Sequence, residues 1–190
     1  MEDMKQVDLI REHARKTPVF SSGSVVRMIG DSGYSYLLLN HLVRRGEIKR
    51  LTKGYYTIHD DPSLLVYCMK PAYLGLQDAM SLNNIWEQET GPVILTAKKI
   101  RPGTRKVLGS NVTVRRVSAR YIFGFYYMKY GDLVMPVSDI EKTFIDMAYF
   151  RLLRKDTTRL FLKRLDRERV SDYLRKYDKR FSKRVLGLIT

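Results

Sequence analysis

Residues 32 to 58 read SGYSYLLLNHLVRRGEIKRLTKGYYTI, and this stretch decides the fold of the first third of the chain. Its apolar residues recur at helical spacing, which predicts a helix from Ser32 to Arg45. Stepping about 100 degrees per residue puts Tyr36, Leu38, Leu39, Leu42 and Val43 on one side. Leu37, Asn40, His41 and Arg44 point the other way. Gly46 stands where helices end on a left-handed residue. Glu47 to Leu51 and Tyr55 to Ile58 then read as two short strands around a tight turn at Thr52-Lys53-Gly54.

Upstream of this stretch, Val7, Leu9, Ile10 and Ala14 form the apolar stripe of a helix running from Met4 to Ala14, which Thr17-Pro18 stops. Ser22 reads as the N-cap of a short helix through Val25, Val26, Met28 and Ile29. Gly30-Asp31-Ser32-Gly33 has the composition of a turn. Three helices followed by a hairpin make a winged helix-turn-helix over residues 1–60.

Downstream, residues 61–190 read as a second domain. A short helix is predicted from Leu76 to Asn83, and strands at Val93 to Ala97, Val112 to Val117, Tyr121 to Met128 and Asp132 to Val137. The turn signals Gly91-Pro92, Pro102-Gly103, Gly109-Ser110-Asn111 and Gly131 separate them at hairpin-like spacing, so an antiparallel sheet is the economical reading. Ser138-Asp139-Ile140-Glu141 has the spacing of a capping box, with a helix to about Leu153 after it. Leu160, Leu162, Leu165, Val170, Tyr173, Leu174, Phe181, Val185 and Leu188 give the remainder helical periodicity. The fold class is thus α+β: a winged helix-turn-helix, then a mixed antiparallel-sheet domain with C-terminal helices.

The 35 Lys and Arg against 20 Asp and Glu leave a net charge of +15. The excess is uneven: +3 over residues 1–60, +3 over 61–150 and +9 over 151–190. Such a field favours polyanions, above all nucleic acid. No apolar run is long enough for a membrane span, and the opening Met1-Glu2-Asp3-Met4-Lys5 lacks the pattern of a signal peptide. A cytoplasmic protein without a membrane partner is expected. Cys68, the single cysteine, lies among Leu64, Leu65, Val66, Tyr67 and Met69 and reads as a small buried hydrophobe.

A recognition helix reads duplex DNA by laying its N-terminal part in the major groove. Ser32, Tyr34, Ser35, Tyr36, Leu37, Asn40 and His41 supply amide, hydroxyl and apolar groups for base edges, and Arg44 is placed for a phosphate. Lys49, Arg50 and Lys53 add cations on the hairpin for the DNA backbone or minor groove. His13, His41 and His59 lack metal-ligand spacing, and no phosphate-binding glycine loop or nucleophile elbow is present. Neither a metal nor a cofactor is expected, and the chain reads as a binding protein rather than an enzyme. Asp139, Glu141 and Lys142 keep a nuclease open as an alternative. The C-terminal cations at Lys163-Arg164, Arg167, Arg169, Arg175-Lys176 and Lys179-Arg180 read either as a solvated face or as a second phosphate-binding surface.

Two stretches carry a family resemblance. Leu42 to Tyr56 resembles the helix-to-wing segment of AbiEi-type antitoxins, the transcriptional regulators of abortive-infection toxin-antitoxin systems. Tyr73 to Asn84 with Gln77-Asp78-Ala79, Val93 to Thr96, and Val134 to Asp146 resemble that family's post-wing region in order and spacing. The likeness covers roughly Ser21 to Tyr149. It implies a sequence-specific DNA-binding autorepressor, with a C-terminal domain that supports antitoxicity against a nucleotidyltransferase toxin. A homodimer stays open, as does an adaptor that binds another protein through its winged helix.

Overall fold

The structure, a computed structural model, describes residues 2–88 and 90–189, with side chains from residue 5 onward. Met1 and the side chain of Met4, which the sequence reading used, lie outside the described residues. The chain divides into two compact units, Met1–Cys68 with Lys106–Asn111, and Met69–Arg105 with Val112–Thr190.

The first unit contains α1 (Glu2–Lys16), β1 (Phe20–Ser21), α2 (Ser22–Ile29), α3 (Ser32–Arg44), β2 (Lys49–Thr52), β3 (Tyr55–Thr57), a 3-10 turn at Pro62–Leu64 and α4 (Leu65–Cys68). Its strands form an antiparallel sheet in the order β1-β3-β2. Strand β1 is only Phe20 and Ser21, too short to leave a pattern in the sequence. Ser21, still extended, caps α2 by accepting from the Ser24 amide at 3.0 Å. The cap expected at Ser22 is thus one residue early, and Ser22 itself begins the helix. Gly30 closes α2 at φ +86°, and Asp31 caps α3 by accepting from the Tyr34 amide at 2.7 Å. The connection is therefore only Gly30 and Asp31, with Ser32 and Gly33 already helical.

Helix α3 ends as its glycine requires. Gly46 lies at φ +72°, and the amides of Gly46 and Glu47 bond the carbonyls of Val43 and Leu42, both at 3.0 Å. Two carbonyls otherwise orphaned by the helix end are satisfied in this way. Ile10, Ala14, Phe20, Val25, Leu38, Leu39, Leu42, Ile48 and Tyr56 form the core. Leu9, expected in the α1 stripe, is 43% exposed, because the buried line runs through Ile10 and Ala14, four residues apart. The Arg11 guanidinium bonds both Glu47 oxygens, at 2.7 and 3.1 Å, tying α1 to the entry of β2.

The second unit holds β4 (Ala72–Leu74), α5 (Leu76–Leu82), β5 (Val93–Thr96), a 3-10 turn at Ala119–Tyr121, β8 (Phe125–Tyr130), β9 (Leu133–Ser138), α6 (Ile140–Tyr149), α7 (Lys155–Leu162), α8 (Arg167–Leu174) and α9 (Lys179–Leu186). Strands β6 (Gly103–Val107) and β7 (Ser110–Arg116) complete a six-stranded sheet in the order β6-β7-β5-β4-β9-β8. The sheet is mixed, with parallel pairing of β4 to β9 and of β5 to β7. This corrects the all-antiparallel reading. Strand β4 is three residues, all buried, so it shows none of the alternation that marks a half-exposed strand. Without β4 in the count, the crossover that makes β9 its parallel neighbour is invisible. Tyr121, expected to open a strand, lies in the 3-10 turn instead.

The cap of α6 is Asp139, which accepts from the Lys142 amide at 2.8 Å. Ser138 ends β9 and shares a 2.7 Å hydrogen bond with the Thr143 hydroxyl. Glu141 accepts from the backbone amide of Asp166 at 3.0 Å, so the expected capping box does not form. Helix α6 stops at Tyr149, four residues short of the expected end. Along the C-terminal helices and the turns beside them the buried residues are Phe161, Val170, Leu174, Tyr177, Phe181, Val185 and Ile189, while Leu160, Leu162 and Leu188 are exposed. The molecule is a mixed α+β protein, and among the described residues no helix is long and apolar enough to cross a membrane.

Candidate nucleic-acid interface

Helix α3 turns one face into the core and leaves the other open. Ser35 lies three, four and seven residues before Leu38, Leu39 and Leu42, so it shares their stripe. Its side chain is buried, and its hydroxyl donates to the Asp31 carbonyl. Ser35 therefore has no surface with which to read a ligand, a correction to its place among the candidates. Tyr36, expected on the apolar side, is 47% exposed at the edge of that stripe, and Leu37 is 63% exposed. Asn40, His41 and Arg44 are exposed as expected, while Tyr34 is half-buried against the core. Ser32 is exposed at the start of the helix.

Gly33, Tyr36, Leu37, Asn40, His41 and Arg44 together line a shallow groove of about 500 Å³. None of these six lining residues is acidic, and the Asp31 carboxylate lies beside Gly33. Its chemistry is mixed: a carboxamide that both donates and accepts, an imidazole, a phenol, a guanidinium and an isobutyl group. That set matches what base edges and thymine methyls present in a major groove.

The hairpin contributes unequally. Lys49 is half-buried and ion-paired with Asp60, so its charge is already balanced. Arg50 lies 5.6 Å from the centre of the Tyr56 ring and donates to its hydroxyl at 3.3 Å. Lys53 is exposed in the turn, beside Gly54 at φ +78°. Arg45, absent from the sequence candidates, is paired with Glu47 at 2.9 Å. The hydrogen bonds from Arg11 hold the Glu47 carboxyl below the ordinary carboxylate range. Among the described residues no His, Cys, Asp and Glu side chains gather as a metal site.

A second cluster lies in the other unit. The carboxylate of Asp146 accepts from the Tyr73 hydroxyl at 2.8 Å and from the Lys142 ammonium, which also reaches the Tyr177 hydroxyl at 3.3 Å. Burial pulls the Lys142 ammonium down and pushes the Asp146 carboxyl up, each opposed by the charge of the other. Burial also raises the Tyr73 and Tyr177 hydroxyls. Asp139 accepts from Tyr173 at 2.6 Å and from Arg169 at 2.9 Å, and burial, with the hydrogen bond to Asp139, pushes the Tyr173 hydroxyl up to about 12. Each of Asp139, Glu141 and Lys142, the residues that kept a nuclease open, thus has a partner within the fold. Nothing in the sequence linked Tyr73 to Asp146, because the contact depends on β4, the strand that left no pattern.

No protein family profile and no curated protein matches the chain. Its fold is similar to that of the RV2827C protein from Mycobacterium tuberculosis, seen in a crystal structure, with a TM-score of 0.58 over 97% of this chain and 77% of that one. The two share 12% sequence identity, so the likeness concerns the fold alone.

Proposed function

We propose that the chain is a sequence-specific DNA-binding regulator whose first 60 or so residues act as a winged helix. In this reading α3 enters the major groove, and the β2–β3 hairpin is the wing. The observation that carries it is the groove along α3, where Tyr36, Leu37, Asn40, His41 and Arg44 stand together. The net charge of +15 supports it, since phosphate contacts supply most of the affinity for duplex DNA. Asn40 is the reader of base edges, while Arg44, Arg50 and Lys53 serve the backbone. The resemblance to AbiEi-type antitoxins extends the proposal to an autorepressor in the cytoplasm, with a nucleotidyltransferase toxin as its partner. Coexpression with a toxin encoded beside it tests that extension, and growth arrest unrelieved by this chain would refute it.

Binding to operator-sized duplexes is the direct test. Affinity should fall by roughly 10³ to 10⁵ between about 50 and 200 mM salt if some 6 to 10 phosphates are contacted. Asn40→Ala should relax preference at particular base pairs by about 1–3 kcal/mol, whereas Lys53→Ala should weaken all duplexes alike. Unchanged affinity and preference in Asn40→Ala would remove α3 as the reader. A second reading has its own support in the exposed Tyr36 and Leu37, which suit a protein surface. Salt-insensitive binding to a protein partner, lost in Leu37→Ala, would favour that adaptor role.

A further inference from the structure

Helices α6, α7 and α9 border an open surface pocket of about 480 Å³ within the second unit, its cationic side chains exposed. Arg151, Arg154, Lys155, Arg159 and Arg184 line it, and no carboxylate does. Among the described residues none of these five is ion-paired. The apolar side chains of Ala148, Leu153 and Leu188 complete the wall. Five like charges around one concave space repel one another, and a bound anion relieves that repulsion. The volume falls in the range of small-ligand pockets, roughly 300–1,000 Å³.

Two details argue that the cations are held there. Arg184 lies 5.1 Å from the centre of the Phe181 ring and donates to the Ala148 carbonyl at 3.4 Å, so its stem is guided toward the pocket. Arg151 follows the C-cap of α6 at φ +58°, with its amide on Ala148 at 3.2 Å and that of Leu152 on Met147 at 2.8 Å. This is the helix ending that glycine occupies without strain, as Gly46 does after α3. An arginine there pays in backbone strain for a side chain in the pocket.

We propose that this pocket is a site for a phosphorylated small molecule of nucleoside polyphosphate size. The guanidinium groups take the phosphates, and Ala148, Leu153 and Leu188 take the less polar end. The site belongs to the second unit and the groove on α3 to the first, and its proposal does not rest on DNA binding.

Titration calorimetry of the full chain with pyrophosphate and with ATP, both in EDTA, tests it. Both probes should bind, ATP the tighter. Arg151→Gly should weaken ATP roughly tenfold or more while leaving the thermal midpoint unchanged or higher, because the strain is relieved as the charge is lost. Arg154→Ala with Arg159→Ala should weaken ATP at least as much. Charge reversal of Arg175, Lys176 and Lys179, which do not line the pocket, should change ATP affinity by less than about threefold. No binding of either probe, or full affinity in Arg151→Gly, would overturn the site. Equal loss in the charge-reversed variant would also overturn it, by marking ATP as a general counter-ion. ATP no tighter than pyrophosphate would overturn the nucleotide assignment.

Discussion

Gly124 has φ +64°, and a Cβ built on it would lie 2.9 Å from both Lys142 Cβ and Tyr173 Cε2. Neither neighbour can easily retreat, since Lys142 is pinned by Asp146 and Tyr173 by Asp139. Gly124→Ala should therefore destabilise the protein by about 2 kcal/mol or more, through strain and overpacking together. Urea unfolding measures this, and a loss below about 0.5 kcal/mol would mean that the helices give way at this point. At this scale the sequence was legible where the local period decides. Asn40, His41 and Arg44 fall outward because they lie opposite Leu38, Leu39 and Leu42. Tyr36 sits on the border of the stripe, where chemistry does not say which way a tyrosine turns. Ser35 shows the converse case, in which position on the wheel outweighs polarity and its hydroxyl finds the Asp31 carbonyl inside the helix.

Among the elements, α6 carries a buried ion pair that a second element completes. Its Lys142 and Asp146 side chains are 0% and 2% exposed, one turn apart, with Tyr73 of β4 completing the bonding. Lys142→Met leaves a buried carboxylate without its cation and should cost about 3–5 kcal/mol. Adding Asp146→Leu should restore much of that loss, since the pair is then replaced by apolar groups rather than broken. Additive losses in the double variant would show that the two charges are not coupled. The caps explain why element edges were harder to read than element types. Ser21-Ser22 and Ser138-Asp139 each offer two capping side chains in succession. In both, the first serine ends a strand, Ser21 pairing with Tyr55 and Ser138 with Phe125, yet Ser21 caps its helix while Asp139 caps α6 in place of Ser138. Those pairings are long-range, so no window of local sequence contains them.

Across the whole molecule, composition indicates a partner class without locating its site. Residues 151–190 carry +9 of the +15, yet the cations of the pocket come from three separate elements that only the fold brings together. The helical period of this end was legible, but the choice of face was not, since Phe161 is buried between exposed Leu160 and Leu162. The parallel pairing of Leu74 with Val137 has a further consequence, which concerns time. Strand β4 must wait for β9, and the chain between them has to close before their pairing is rewarded. The first unit needs a shorter closure, because its farthest strand pairing, Phe20 with Tyr56, spans less chain than Leu74 with Val137. In refolding followed by pulsed hydrogen exchange, amides of α3 should gain protection before those of β4 and β9. Simultaneous protection would mean that one nucleus spans both units. With ordered appearance, the groove on α3 exists while the buried face of the larger sheet is still open to solvent, the interval in which the newly made chain is most prone to aggregate.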